Sequence, residues 1–552
     1  MSEEAVGGDS GVMALIQRPV PALLLLFVVF AVLGLAIHRA ALDGAFISDD
    51  FGYLNHPYTA DLRPGTLLAI FDPTGPARLY AANYAPIHLL LTAIEKQIFA
   101  NDPFGYHLVN VLLHAANGAL LVALFVATGI PRAAALLGGV VFLVHPANVE
   151  AVAWVSQLKT DAALTFSLAA LLAFRSRPGL STVLFALGLL TKASAAFALP
   201  TAAVLAWTWR DKADSHLLRW LCVWAAIFVL YAIPQFTSFG HLGEVEVAAF
   251  EDPLVQLRTI AAVGMRYLVM AVSGYGVSAF QEPEPSLSWL DPWWLVALPT
   301  GALLLWRVIV TLRRGSPEAA WWVAAAVSFA PVSQLLPFLY PVADRYLYFI
   351  LPGLLGGVLF LWERLRPRLP DAAPRLATWL VLAGCLLFAW QGAARAALWQ
   401  GEMRLMLDAA AHYPRGGMAA FLEARSAAQQ GDVDTAVDRL RWAADHGIDR
   451  FLVYSGDPGL APIRNTPEFR AFVHELAGRW IEQARHRGHG TQPELRMVAL
   501  AHLQRGELEA AERVFEQALA VGGPMEPLVR AEFEQLKKRR RGDEQEADHR
   551  TP

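Results

Sequence analysis

Charge is scarce in this chain: of its 552 residues only 17% are Asp, Glu, Lys or Arg, against roughly a quarter in ordinary soluble domains. With 55% of its residues hydrophobic, the chain has too few polar groups for a simple soluble globule. Cysteine is nearly missing, and both copies, Cys222 and Cys385, lie inside apolar runs. A disulfide framework and a CxxC metal site are therefore excluded. The formal net charge is -4, with no basic patch interleaved with aromatics. That excludes nucleic acid as a partner. No G-x-x-x-x-G-K-[ST] loop, zinc motif or serine nucleophile elbow occurs, so nothing points to nucleotide hydrolysis.

What the chain does have is long apolar runs. The first, Pro21 to Ile37, is of spanning length and lacks the small-residue cleavage pattern of a signal peptide. It reads as an uncleaved first span behind a short tail, 1–19. Runs at 106–127, 133–144, 152–173, 180–207, 217–233, 293–310, 321–336, 346–361 and 377–397 follow. Taking 180–207 as two short passes around Lys192 makes about eleven spans. Arg175 with Arg177, Arg210 with Lys212, Arg313 with Arg314, and Arg364, Arg366 and Arg368 then fit cytoplasmic loops, since basic residues stay inside. The first outer loop covers about 39–105 under that rule. The stretch 254–272, with Arg258 and Arg266 eight residues apart, could span, but that would put Arg313 and Arg314 outside. It reads instead as an interfacial or re-entrant helix.

The fold class is all-α, a polytopic membrane bundle over 20–400 followed by a helical solenoid over 401–535, where the composition turns to Ala, Glu and Arg. Two segments there share one spacing: Gly431, Ala436, Leu440, Ala443 and Gly506, Ala511, Phe515, Ala518. Gly followed at five, four and three residues is the turn and second helix of a tetratricopeptide repeat. Residues 536–552, with the basic run Lys537 to Arg541 and an acidic end, read as a disordered tail.

The chemistry-bearing residues gather in the outer loops. Asp49 and Asp50 stand just beyond the first span, where a held carboxylate can serve as a general base while its neighbour orients it. Alone they also fit a helix cap and a solvated loop acid. His107, Asn110, His114 and Asn117 recur at spacings of three, four and three and so share a helix face. Such a face either lines a cavity or fixes packing by interhelical hydrogen bonds. His145-Pro146 ends a span and exposes His145 and Glu150, with Trp154, Lys159 and Asp161 close behind; Lys159 and Asp161 also suit an ion pair. Asp344-Arg345-Tyr346 opens another span with a guanidinium suited to phosphate or to snorkelling.

Taken together, Asp49-Asp50, Asp61-Leu62-Arg63-Pro64, Asn83-Tyr84-Ala85-Pro86, the run Pro103 to Asn110 with His114, His145-Pro146 with Glu150 to Trp154, and Asp344 to Tyr348 resemble the transmembrane and tetratricopeptide-repeat O-mannosyltransferase family and its bacterial relatives. The resemblance covers nearly the whole chain. It implies a GT-C glycosyltransferase fold that takes a hexose, mannose first, from a polyprenyl-phosphate donor. The acceptor would be a hydroxyl of a protein or glycan engaged by the repeats, with inversion. It further implies Asp49 as base and Asp50 as its support, with Arg345, Lys192 and Arg266 around the donor phosphate. Asn83, Tyr84, His107, Asn110, His114, His145, Glu150, Lys159, Asp161 and Tyr346 would line the site. The expected setting is a bacterial inner membrane, with site and repeats on the periplasmic side. No cofactor is called for, while the acid pair leaves room for a divalent metal. The chain departs from the family pattern at Lys192-Ala193, where the family often has Lys-Glu. A competing class is a non-catalytic envelope scaffold or transporter, which would have no use for Asp49 and Asp50.

Overall fold

Apolar segments that leave water must satisfy their backbone amides internally, which forces them into helices. In the computed structural model every regular element among the described residues is helical. Those residues are 19–75, 77–80, 83–209, 215–239, 250, 252–335, 341–487, 490, 492–522 and 525–548. Arg210 and Lys212 and most of the 1–19 tail lie outside them.

The chain divides into two units. The first comprises Met1–Leu62, Ala85–Ile233 and Ala249–Leu405, the second Arg63–Tyr84, Pro234–Ala248 and Met406–Pro552. In order, the helices of the membrane half are α1 (Pro19–Leu42), α2 (Asp50–Leu54), α3 (Pro86–Phe99), α4 (Pro103–Thr128), α5 (Arg132–Val144), α6 (Leu158–Ala173) and α7 (Pro178–Thr191). Then come α8 (Ala198–Thr208), α9 (Ser215–Phe239), α10 (Pro253–Ser273), α11 (Pro292–Arg313), α12 (Glu318–Phe329), α13 (Asp344–Leu365) and α14 (Ala372–Ala396).

Local chemistry sets their ends. Asp102 caps α4 by accepting from the Phe104 N–H, Pro103 stands in the first turn, and Gly129 stops the helix with φ at +107°. Seven helices among the described residues are long and apolar enough to cross a membrane, or eight if α5 and the 146–153 segment, bent by 53°, make one span. Three shorter apolar helices, Pro178–Thr191, Ala193–Thr208 and Glu318–Val332, account for the 180–207 and 321–336 runs, and the 152–173 run holds α6, which is too short to be counted as a span. The chain is an integral membrane protein.

By length and composition α10 could cross as well, yet its contacts run along one end of the bundle. The Gln256 amide donates to the carbonyls of Gln334 and Leu335 at 3.0 and 3.1 Å, just past α12. Tyr267 bonds to the Ala343 carbonyl at the start of α13, and the Ala271 carbonyl meets His145 just past α5. These landmarks share the end of the bundle that carries Glu150 and Arg345, so α10 lies across that end.

In the second unit, α15 (Gly417–Gln429) pairs with α16 (Val433–Asp445), and after α17 (Pro467–Arg487) α18 (Gln492–Gln504) pairs with α19 (Leu508–Val521). The turn glycines Gly431 and Gly506 hold φ at +76° and +72°, left-handed values that favour glycine. Ala436, Leu440 and Ala443, like Ala511, Phe515 and Ala518, are fully buried. The small residues let the paired helices approach, and Leu440 or Phe515 fills the remaining space. From the end of the repeat region α20 (Glu526–Asp548) continues as a helix into the 536–552 segment read as a disordered tail, and its Val529, Phe533 and Leu536 pack onto the second hairpin.

Candidate active site

The segment from Glu150 to Asp161 organises the acid-bearing end of the first unit. It contains a short helical turn, a 3-10 turn at Val155–Gln157 and the start of α6. Asp50, Asn110, Lys192 and Arg345 each bond to it.

Asp50 is 1% exposed. One carboxylate oxygen accepts from the Ile47 N–H at 2.9 Å; the other accepts from the Ser156 N–H at 2.8 Å and from the Ser156 hydroxyl. Burial raises the Asp50 pKa to about 6, although the hydrogen bonds from Ile47 and Ser156 pull the other way and neighbouring Asp49 pushes up. Asp49, by contrast, is exposed, and its side chain makes no capping bond to α2. The turn between Ile47 and Asp50 is tight, with the Asp50 N–H donating back to the Ile47 carbonyl. Ser48 inside it holds a left-handed φ of +49°.

Glu150 and Arg345 form an ion pair, with Glu150 also accepting from the Arg345 N–H at 2.7 Å. The Arg345 guanidinium lies 5.6 Å from the Trp154 ring and 4.9 Å from the Tyr346 ring, and Trp154 stacks on Trp399. Sequence reasoning expected His145 and Glu150 to be exposed, but they are 1% and 3% accessible. The turn after Pro146 folds back so that His145 accepts from the Ala147 N–H and faces the Ala271 carbonyl, while Glu150 is consumed by Arg345.

Lys159 does not pair with Asp161. Its ammonium donates to the Tyr53 hydroxyl at 2.9 Å, while Asp161 is fully buried and offers its backbone carbonyl to Asn117. Lys192, in the break between α7 and the 3-10 turn before α8, donates to Thr160 Oγ1 at 2.6 Å. With Arg345, Tyr346, Ser194, Ser328 and Phe349 it lines a cavity of about 80 Å³. Neither Lys159 nor Lys192 has a carboxylate within 4 Å among the described residues. Arg266 is not among the residues lining that cavity; its guanidinium lies 4.4 Å over the Trp293 ring.

The polar stripe of α4 turns to packing partners. The Asn110 amide donates to the Trp154 carbonyl at 3.0 Å. His114 bridges the Tyr348 hydroxyl and the Leu143 carbonyl. Asn117 reaches the Asp161 carbonyl, the Tyr348 hydroxyl and Thr165, and His107 is buried beside Gly44. Asn83 and Tyr84 belong to the second unit, where the Tyr84 N–H donates to Gln235 and its hydroxyl to the Phe71 carbonyl.

Ser156 and Thr160 escaped the sequence reading, and Tyr53 was given no site role by it. Each works through a partner distant in the chain, which leaves no periodic or spacing signal. Among the described residues no three His, Cys, Asp or Glu side chains converge on a metal-sized position, and both Asp50 carboxylate oxygens are already engaged.

No protein-family model matches the chain, and no curated protein matches it. Among solved structures it is similar to an oligosaccharyltransferase of Archaeoglobus fulgidus, crystallised tethered through a disulfide to an acceptor peptide containing the NVT sequon. The TM-score is 0.37 at 13% identity, over 76% of this chain and 58% of that one, so the match spans less than two thirds of the neighbour's length. At that level of likeness the chemistry of the site rests on its own residues.

Proposed function

We propose that this chain is a membrane glycosyltransferase of GT-C type. In this reading a hexose, mannose first, passes from a polyprenyl-phosphate donor to a hydroxyl of a protein or glycan acceptor on the extracytoplasmic face, with inversion at the anomeric carbon. The observation that carries it is the division of labour between two adjacent acids. Asp50 is buried and tied on both oxygens, while Asp49 beside it is exposed and uncapped.

Asp49 then takes the proton of the acceptor hydroxyl as that oxygen bonds to the anomeric carbon, and the bond from that carbon to the lipid-phosphate oxygen breaks with its electron pair on the phosphate. Lys192 is suited to meet that developing charge. Its ammonium has three donors, only one of which is spent, on Thr160. Arg345 lines the same cavity but is tied to Glu150, so its part is to fix the wall and add field. An isoprenoid carrier stays in the bilayer while base and acceptor meet at the water interface, which matches a site at one end of a spanning bundle.

The test is transfer of labelled hexose from synthetic polyprenyl-phosphate-hexose into macromolecular material, using membranes that carry wild type, Asp49→Asn or Lys192→Met. Loss of about 100-fold or more in Asp49→Asn at equal expression is the expected result for a general base. Equal signals from wild type, variant and empty membranes with every hexose donor tried would favour the scaffold class instead.

A further inference from the structure

The two acids of the 47–50 turn differ in a way their adjacency does not explain. Ser48 sits between Ile47 and Asp49 in a left-handed conformation that a residue with a Cβ adopts only where its surroundings over-determine it. The turn is closed from inside by two bonds, the Asp50 N–H to the Ile47 carbonyl and the Ile47 N–H to the Asp50 carboxylate. Those two bonds fix the shape of the turn but not the place of its acids in the unit. Ile47 packs it against Val149, Ala153 and Trp399, and the polar tie to the rest of the unit is the other Asp50 oxygen, held by both the N–H and the hydroxyl of Ser156 across more than a hundred residues of chain.

Ser156 is itself well fixed. It is 2% exposed and lies in a 3-10 turn whose neighbours are buried. Trp154, two residues earlier, packs against Trp399 and Arg345, and the Trp154 carbonyl accepts from Asn110 of α4. The anchor point is thus rigid, and the strained turn is hung from it.

We infer that Ser156 is a positioning residue for the acid pair: through Asp50 it fixes the 47–50 turn, and so sets where the Asp49 carboxylate stands relative to Lys192 and Arg345. The inference rests on the glycosyltransferase reading for its catalytic consequence, but its structural half does not. Ser156→Ala keeps the backbone N–H and removes one of two ties, so the turn loosens without the fold being lost. Ser156→Thr keeps the hydroxyl. The step affected is proton removal from the acceptor, which depends on the position of Asp49, while donor binding at Lys192 is untouched.

The experiment has two readouts on full-length protein in membranes or detergent. The first is amide hydrogen exchange over 45–55, which does not depend on activity. Ser156→Ala is expected to exchange at least tenfold faster there than wild type, with Ser156→Thr close to wild type and no change over 103–128. The second is transfer kinetics. Ser156→Ala is expected to lose about tenfold or more in kcat with donor KM within twofold, and Ser156→Thr to recover most of it, effects of a size expected from a misplaced base. Unchanged exchange in Ser156→Ala overturns the inference whether or not any transfer is seen. Faster exchange with kcat unchanged in an active enzyme also overturns it, since the turn would then be free without consequence. Faster exchange in a protein whose wild type transfers nothing upholds the tether and removes the glycosyltransferase reading alone.

Discussion

Asp50 is a carboxyl whose folded pKa of about 6 stands above its ordinary value because it is buried. The folded protein therefore holds that proton more tightly than the unfolded chain does. Asp50 supports the fold most below about pH 4, and its contribution falls as the pH rises through 6. The charged group that acts on it is Asp49 on the same turn, which pushes the same way as burial. Asp50→Asn removes this dependence. The thermal midpoint of the variant minus that of wild type should rise between pH 4 and pH 7; a difference that is flat or falling would mean that Asp50 keeps an ordinary carboxyl. Ser48 offers a second residue-scale check. Ser48→Gly should be close to neutral in thermal midpoint, because glycine enters the left-handed region freely, while Ser48→Val should cost about 1–2 kcal/mol.

Among the elements, α10 separates composition from position. Its apolar residues and length permit a crossing, but its hydrogen bonds to the ends of α12, α13 and α5 lay it along one end of the bundle. Cysteines placed singly at Asp252 and Tyr275, both exposed, should both react with an impermeant thiol reagent added from the side that labels a cysteine at Ser48. Labelling of only one of the two would make α10 a span. A second element-scale case is the pair joining α11 to α12. Arg307 binds Glu318 through two bonds of 2.6 and 2.7 Å, and the Trp322 indole donates to the same carboxylate. Arg307→Ala strands a buried carboxylate and should lower stability by about 3–5 kcal/mol, while replacing both partners with apolar residues should recover most of it. The helices themselves were legible because long apolar runs and caps such as Asp102-Pro103 act locally. The destinations of their polar residues were not. Nothing local in Lys159-Thr160-Asp161 says that the lysine leaves its neighbouring acid for Tyr53, because that choice is made by the packing of α2 against α3 and the Val155–Gln157 turn.

At the scale of the molecule, two units with different cores share one chain. The second unit is built on Ala and aromatic packing between helical hairpins, with Phe451, Tyr454, Phe472 and Trp480 buried together. Leu440→Ala should lower the calorimetric stability of this unit in the full chain by about 2–5 kcal/mol. The Gly, Ala, Leu/Phe, Ala spacing was readable in sequence because hairpin packing repeats with the chain, so the same positions meet the same neighbours twice.

By itself the sequence determined an all-helical integral membrane protein, the hairpin positions of its second unit, and the two acids beyond its first span, since hydropathy, periodicity and capping are properties of neighbouring residues. Only the tertiary structure decided which acid is buried and which is free, that Glu150 is spent on Arg345, and that Lys192 shares a cavity with that arginine. Those outcomes depend on hydrogen bonds between residues far apart in the chain, and no local pattern encodes a partner that folding alone brings within reach.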